Sequence, residues 1–128
     1  MNRSTWKAFE RRVAGFWGSV RNALSGGNSK LTRSDSIHPR LFISCKHGIR
    51  SAFWTLYKEE LPKAEAEDKT VVLALGNKNH DGHLIAFHCD AMPIVIREWL
   101  IANGHNDLAK LLASRYKTSQ KKTKSGKS

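Results

Sequence analysis

The stretch HPRLFISCKHG, residues 38–48, decides the fold because it contains the clearest strand pattern in the chain. Side chains in a strand alternate between its two faces, so Ile43 and Cys45 in LFISCK face one side of the predicted sheet. Ser44 and Lys46 face the other side together. A site that contains the Lys46 side chain therefore also includes the position of Ser44.

The apolar patterns on both sides of this strand predict an α/β fold, in which helices flank a small mixed sheet. In order, the predicted elements are a helix over residues 5–17, a short strand in SVRNAL (19–24), the strand LFISCK (41–46), a helix over 50–67, strands TVVLAL (70–75) and LIAFHC (84–89), and helices over 90–103 and 106–116. The last two strands should form a hairpin through the turn NHDG. Pro62 must kink the second helix, or end it and restart it.

The net charge of +11 is concentrated at the two ends of the chain. Residues 1–34 hold seven Lys or Arg and one acid, residues 35–116 hold ten of each sign, and residues 117–128 hold five Lys and no acid. Basic segments around a neutral body indicate a polyanionic partner that is bound through phosphate contacts. The sequence therefore favours nucleic-acid binding, and a basic protein with a solvated tail is the alternative.

Length and composition predict one domain over residues 1–116 and a disordered basic tail over residues 117–128. No run approaches the roughly 18 apolar residues of a membrane-spanning helix, so we expect a cytoplasmic protein without a membrane partner. Cys45 and Cys89 lie in predicted strands, which suits reduced thiols in the core.

Metal-assisted phosphodiester hydrolysis needs carboxylates that hold Mg²⁺ and a cation beside the scissile phosphate. Asp35 precedes the strand and Lys46 ends it, so the two supply an acid and an amine at suitable places. Ser44 occupies the position where a second acid is needed. Ordinary structural roles are the alternative, with Asp35 capping a turn and Lys46 solvated at a strand end.

Several motifs in this order resemble the PD-(D/E)XK nuclease superfamily, and more narrowly the small Holliday junction resolvases of phage and archaeal type. The resemblance covers about residues 6–90 and rests on Glu10 in the first helix, SGG at 25–27, SD at 34–35, HPRLFI before Lys46, and DKTVVLAL at 68–75. It implies a restriction-endonuclease-like fold and a homodimer. It also implies cleavage of four-way or otherwise branched DNA with Mg²⁺ or Mn²⁺ during DNA recombination.

In such enzymes the active centre consists of an acid on the first helix, an aspartate, a glutamate two residues before a lysine, and that lysine. Glu10, Asp35 and Lys46 match these positions, whereas Ser44 does not. Three explanations of Ser44 are open. The second acid is supplied by Glu60 from the following helix, as in some restriction enzymes, or the protein binds DNA without cutting it, or the serine is a substitution that disarms an enzyme.

The resemblance yields two further sets of candidates. Those for holding the metal are Asp35, Glu60, Glu10 and Cys45, although Glu10 could equally be an exposed helix residue. Those for contacting nucleic acid are Arg11, Arg12, Arg21, Ser25, Gly26, Lys30 and Arg33. An RNA-associated basic protein is a more distant alternative.

We expect the remaining aromatic and histidine side chains to have structural roles. Trp54 and Trp99 fall within helical patterns, which favours packing over base stacking. His38 is expected at the surface near a loop. His88 and Cys89 are adjacent on a predicted strand and would face opposite ways, so no zinc site is expected.

Overall fold

A three-stranded mixed sheet, a two-stranded ribbon and four helices form the fold. The computed structural model describes residues 3–23, 32–48, 52–78 and 80–115. The elements are α1 (Arg3–Phe16), β1 (Val20–Arg21), β2 (Ser36–Ile37), β3 (Leu41–His47), α2 (Phe53–Ala66), β4 (Thr70–Gly76), β5 (Leu84–Ala86), a 3₁₀ turn (Cys89–Ala91), α3 (Met92–Ala102) and α4 (106–115). The predicted α/β class with a small mixed sheet is confirmed.

The central sheet has the order β3, β4, β5. β3 and β4 are parallel, because α2 carries the chain back from the end of one strand to the start of the other. β4 and β5 are antiparallel, with Leu73 opposite Ala86, which confirms the predicted hairpin pairing. The ribbon pairs Val20 with Ile37 and Arg21 with Ser36.

Asp35 connects the ribbon to the central sheet through its backbone. Its N–H donates to the carbonyl of Ile43 in β3 at 2.9 Å, and its carbonyl accepts from the N–H of Asn22 at 2.9 Å. The chain at Asp35 is therefore hydrogen-bonded on both sides, and the side chain starts from a fixed backbone position.

The alternation of β3 builds two apolar clusters, as its sequence predicts. One face packs against α1 and α3 and contains Phe9, Val13, Trp17, Leu41, Ile43, Cys45, Val72, Ala74 and Val95. The other face packs against α2 and contains Phe42, Leu56, Ala64, Val71, Leu73 and Leu75. Fully burying a side chain of this size contributes about 1.5–3 kcal/mol, so β3 is stabilised from both sides.

α2 runs through Pro62 as one helix, so it does not end and restart at this residue. Two sequence predictions about local structure are wrong. β5 ends at Ala86, because the His88 side chain then accepts from the N–H of Asp90 and caps the 3₁₀ turn. Cys89 is consequently exposed rather than a core thiol, and the ligand atoms of His88, Cys89 and Asp90 lie within 4.8 Å of one another.

The assignment of His38 to the surface is also wrong. His38 is buried, since its Nδ1 accepts from the N–H groups of Arg40 and Leu41 and its Nε2 lies 3.7 Å from Glu98. Trp54 and Trp99 are 63% and 37% exposed, so neither packs in the core. Among the described helices, none combines the length and the apolar character that crossing a membrane requires.

Gly76, at the end of β4, lies directly beneath α1. A Cβ at this position would be 2.6 Å from Cε1 and Cζ of the buried Phe9 ring. We therefore expect Gly76→Ala to lower the free energy of unfolding by about 1–3 kcal/mol, because the ring has no free space to move into.

Chemical denaturation measures this effect, with Gly15→Ala as the matched control. A Cβ at Gly15 meets no atom within 4 Å, and the residue lies in α1, so alanine should stabilise there by up to about 1 kcal/mol. Equal stabilities of the two variants would contradict the packing described here.

Candidate active site

The carboxylate of Asp35 is held against the backbone of β3. Its Oδ2 accepts from the N–H of Cys45 at 2.6 Å, which adds a third anchor to the two made by the Asp35 backbone. A hydrogen bond to a carboxylate is shorter and stronger than one between neutral groups. The Asp35 side chain is therefore fixed in one orientation at the carboxyl end of the strand.

The segment before Asp35 is braced by residues that the sequence does not single out. The buried side-chain amide of Asn22 donates to the carbonyls of Thr32 and Ser34, at 3.0 and 2.9 Å. Glu67, just beyond α2, accepts from the hydroxyl of Thr32 and from the N–H of Arg33. These partners are distant in sequence and show no periodic pattern, so only the fold brings them together.

Glu10 of α1 lies beside Asp35 and is almost fully buried. Its Oε1 accepts from the Arg21 guanidinium at 2.8 Å. The pKa of Asp35 is raised to about 6, first by burial, and then by the charge of Glu10 and the hydrogen bond to it, while the N–H of Cys45 and the Lys46 charge act in the opposite direction. The two carboxyl groups lie close enough together that the charge of Glu10 disfavours ionisation of Asp35.

Lys46 lies on the other side of Asp35, next to α2. Its Nζ is 3.2 Å from Oε1 of Glu60, whose Oε2 is 3.6 Å from the Nζ of Lys63. The Lys46 charge lowers the pKa of Asp35 slightly, so the ammonium group is near enough to act on this carboxyl, although its ion pair is with Glu60. Glu60 points inward and is 5% exposed, in keeping with its position on the apolar stripe of the helix.

Ser44 and Cys45 occupy the site in different ways. Ser44 is buried on the α2 side of β3, in register with Leu73 of β4. The Cys45 thiol packs in the cluster against α1 and α3, and burial raises its pKa, so it is a protonated core thiol. Cys45 therefore reaches Asp35 through its backbone N–H and does not present its sulfur as a metal ligand.

The candidate nucleic-acid contacts do not form one group. Arg11 and Arg12 are exposed on α1, and Arg33 is exposed at the segment before Asp35. Arg21 is only 18% exposed and is bonded to Glu10, so it belongs to the carboxylate site. The described part of the chain does not include Ser25, Gly26, Lys30 or the basic segment 117–128.

Glu10 and Asp35 together form an oxygen donor set of the kind that Mg²⁺ uses, since this ion is commonly held by one or two carboxylates with water and phosphate oxygens. Burial and mutual repulsion of the two carboxyl groups would be relieved by a divalent cation between them. Glu60 forms ion pairs with Lys46 and Lys63 instead, so it positions Lys46 and is not part of this donor pair.

No family model, curated protein or solved structure matches this chain. Its function is therefore argued from the chemistry of the site.

Proposed function

We propose that this protein is a metal-dependent, structure-selective DNA endonuclease of the PD-(D/E)XK type, similar to a Holliday junction resolvase. One observation carries the proposal. The Glu10–Asp35 carboxylate pair lies against the carboxyl end of β3, near enough to Lys46 for the lysine charge to act on Asp35. Two acids and one amine at a single site are the groups that metal-assisted cleavage of a phosphodiester requires.

Each group of the site has a distinct role in this proposal. Asp35 and Glu10 would hold Mg²⁺ or Mn²⁺, and the ion would supply Lewis-acid stabilisation of the phosphate and a more acidic bound water. Lys46 would orient water or stabilise charge on the phosphate in the transition state. Arg21 would keep Glu10 in place while the ion binds, because its guanidinium already contacts that carboxylate at 2.8 Å.

Glu60 would be a positioning residue rather than a metal ligand. Its 3.2 Å contact with Lys46 holds the ammonium group on the α2 side of the site. This arrangement supports a modified form of the first explanation of Ser44. The acid on the following helix holds the lysine in position, and the metal would depend on the remaining two carboxylates.

The distribution of charge supports DNA as the substrate. The chain carries a net charge of +11, and Arg11, Arg12 and Arg33 are exposed near the elements that form the site. A four-way junction has two-fold symmetry and needs two incisions, so a homodimer is proposed as well. Exposed apolar side chains on the last two helices support a dimer face, namely Met92, Ile96, Leu108 and Leu111.

A cleavage assay tests the proposal. A labelled four-way junction and a linear duplex of the same sequence are incubated with the protein in Mg²⁺, in Mn²⁺ and in EDTA. We expect nicking near the branch point that requires metal and that Asp35→Ala abolishes. Cleavage in EDTA, or none by wild type in either metal, would contradict the proposal.

The role of Glu60 is tested by comparing Glu60→Gln with Glu59→Gln. Glu59 is the adjacent residue and is exposed, whereas Glu60 is buried against Lys46. We expect Glu60→Gln to slow cleavage by about 10- to 100-fold and to leave metal affinity nearly unchanged, since it acts through the lysine.

Glu59→Gln should behave as wild type in both measurements. Should Glu60→Gln lower the affinity for Mn²⁺ by a factor comparable to that of Asp35→Ala, Glu60 would instead be a direct metal ligand.

A non-catalytic DNA-binding protein of the same fold is the alternative, and Ser44 is the observation that favours it. Serine is a weaker Mg²⁺ ligand than a carboxylate, so the site has one acid fewer than the resemblance implies. This alternative predicts tight, salt-sensitive junction binding without cleavage in either metal. Tighter binding to structured RNA than to junction DNA would instead favour an RNA-associated protein.

A further inference from the structure

A cavity of about 280 Å³ opens between the start of α2 and the segment that follows β5. Its floor is Leu73 and Ala86, which pair across the central sheet. Trp54 and Tyr57 form one wall, and Phe87 and His88 belong to the other. The lining is predominantly apolar and aromatic, as is usual for sites that bind organic ligands.

The aromatic groups of this cavity are held in a defined arrangement with large exposed faces. Trp54 contacts Tyr57 edge-on with ring centroids 5.8 Å apart, and His88 lies within 6.3 Å of both rings. Trp54 is nevertheless 63% exposed. An exposed tryptophan that is oriented by its neighbours offers a preformed stacking surface and loses little side-chain entropy when it binds.

The cavity adjoins the site of Lys46 and Ser44. Ser44, Leu73 and Ala86 lie in one row across β3, β4 and β5, and neighbouring strands are about 4.8 Å apart. On α2, Tyr57 precedes Glu60 by three residues, so the cavity wall lies about one helical turn from the Lys46–Glu60 contact. A nucleotide chain that crosses the site would pass the mouth of the cavity.

We propose that this cavity receives one unpaired nucleobase of the bound DNA, which stacks on the face of Trp54 with the perpendicular Tyr57 ring beside it. The proposal rests on the proposed function and specifies its substrate as DNA with an unpaired base at or beside the branch. The cavity is slightly smaller than the range of about 300–1,000 Å³ usual for drug-sized ligands, so a single planar ring system suits it better than a base pair. Recognition by stacking is tolerant of sequence, because every base has a π-face.

Charge around the cavity fits the same occupant. Lys46 and Lys63 lie on the side toward the site, where the backbone phosphate of a stacked nucleotide would lie. Together they carry two positive charges against the single charge of Glu60, so this side attracts a phosphate. An apolar slot beside a cationic surface matches a nucleotide, which has a flat apolar base and an anionic backbone.

Equilibrium binding in EDTA, where no cleavage is expected, tests this inference. Three duplexes of one sequence are compared, one fully paired, one with a single unpaired 2-aminopurine, and one with an abasic residue at that position. The abasic duplex has the same bend and flexibility without the base. We expect the 2-aminopurine duplex to bind about ten-fold tighter than the abasic duplex, with quenching of its fluorescence on stacking.

Trp54→Ala should reduce this ten-fold preference to near one and leave binding of the abasic duplex unchanged. Trp99→Ala is the matched control, because Trp99 is also exposed but stacks on His105 at the opposite end of α3 from the 3₁₀ turn. It should retain the preference. The quenching in wild type supports the inference independently of whether either variant folds.

Equal affinity of wild type for the aminopurine and abasic duplexes, without quenching, would overturn the inference and leave the proposed function standing. A preference that Trp54→Ala retains would overturn it too, since another site would then hold the base. Absence of binding to all three duplexes and to a four-way junction would contradict both proposals.

Discussion

Asp35→Asn is expected to abolish cleavage and, at neutral pH, to stabilise the folded protein. The asparagine Oδ1 can still accept from the N–H of Cys45, and its amide can donate to Glu10, so the local hydrogen bonds are kept. The buried negative charge beside Glu10 is removed. Loss of a metal ligand should lower the cleavage rate by about 1,000-fold or more, since the ion supplies several kcal/mol of transition-state stabilisation.

The direction of the stability change follows from the pKa of Asp35. It is about 6 in the folded protein against an ordinary value of 3.8, so the folded state binds the proton more tightly than the unfolded chain. The free energy of unfolding therefore falls as pH rises from about 4 to about 6, and the loss remains at higher pH. At pH 7.5 this amounts to about 2–3 kcal/mol, which Asp35→Asn would recover.

Urea denaturation from pH 4 to 8 measures this effect as the difference in the free energy of unfolding between wild type and Asp35→Asn. The lowered pKa values of the partly buried His38 and His83 act in the opposite direction, since their stabilising contribution is lost as pH falls through the folded pKa. Both histidines are present in the two proteins, so their contribution cancels. The difference should grow from near zero at pH 4 to its full value above pH 6.

Two further observations distinguish a metal site from a merely buried acid. Added Mg²⁺ should stabilise wild type at pH 7.5 and leave Asp35→Asn unchanged. Asp81→Asn, a change of the same type at an exposed position, should alter neither stability nor activity. If the free energy of unfolding of wild type rose between pH 4 and 6 relative to Asp35→Asn, the pKa of Asp35 would not be raised in the folded protein.

Lys46→Met is expected to cost both activity and stability. The methionine keeps the length of the side chain but leaves Glu60, which is buried, with Lys63 at 3.6 Å as its only ion-pair partner among the described residues. Removal of one partner of a buried pair costs about 3–5 kcal/mol, and partial exposure of Lys46 reduces this to about 2–3 kcal/mol. Cleavage should fall by about 100- to 1,000-fold, because the cation beside the phosphate is lost.

The double variant Lys46→Met/Glu60→Gln separates these two effects. Removal of the uncompensated charge should restore most of the lost stability, so the two changes are non-additive in denaturation. Cleavage should remain as low as in Lys46→Met alone. Recovery of cleavage in the double variant would show that Lys46 acts only by neutralising Glu60, and a double variant less stable than Lys46→Met would show that the pair is not coupled.

Much of the fold can be predicted from single segments of the sequence. The alternation in LFISCK correctly assigns Cys45 to the face against α1 and α3 and Lys46 to the face against α2. The helical spacing on α2 correctly directs Glu60 inward. These features depend only on the periodicity of side chains along one helix or strand, so the local sequence is enough to predict them.

The sequence does not predict features that depend on contacts between distant segments. Arg21 resembles a phosphate-binding residue in sequence, yet it pairs with Glu10 from another element. His38 was assigned to the surface, but the turn before β3 and Glu98 of α3 enclose it. The helical spacing of Trp54 favours a packing role, yet the residue is 63% exposed, because spacing alone does not decide which positions on a helix the sheet covers.

By itself the sequence determined the order of the helices and of the longer strands, the two faces of β3 and the identity of the residues that carry charge. Only the tertiary structure decided that Glu10 lies beside Asp35, that the pKa of Asp35 is raised there, and that the Lys46 charge acts on this carboxyl. The physical reason is that burial and Coulomb interactions depend on distances between segments far apart in the chain, and the packing of α1 and α2 on opposite faces of the sheet sets those distances.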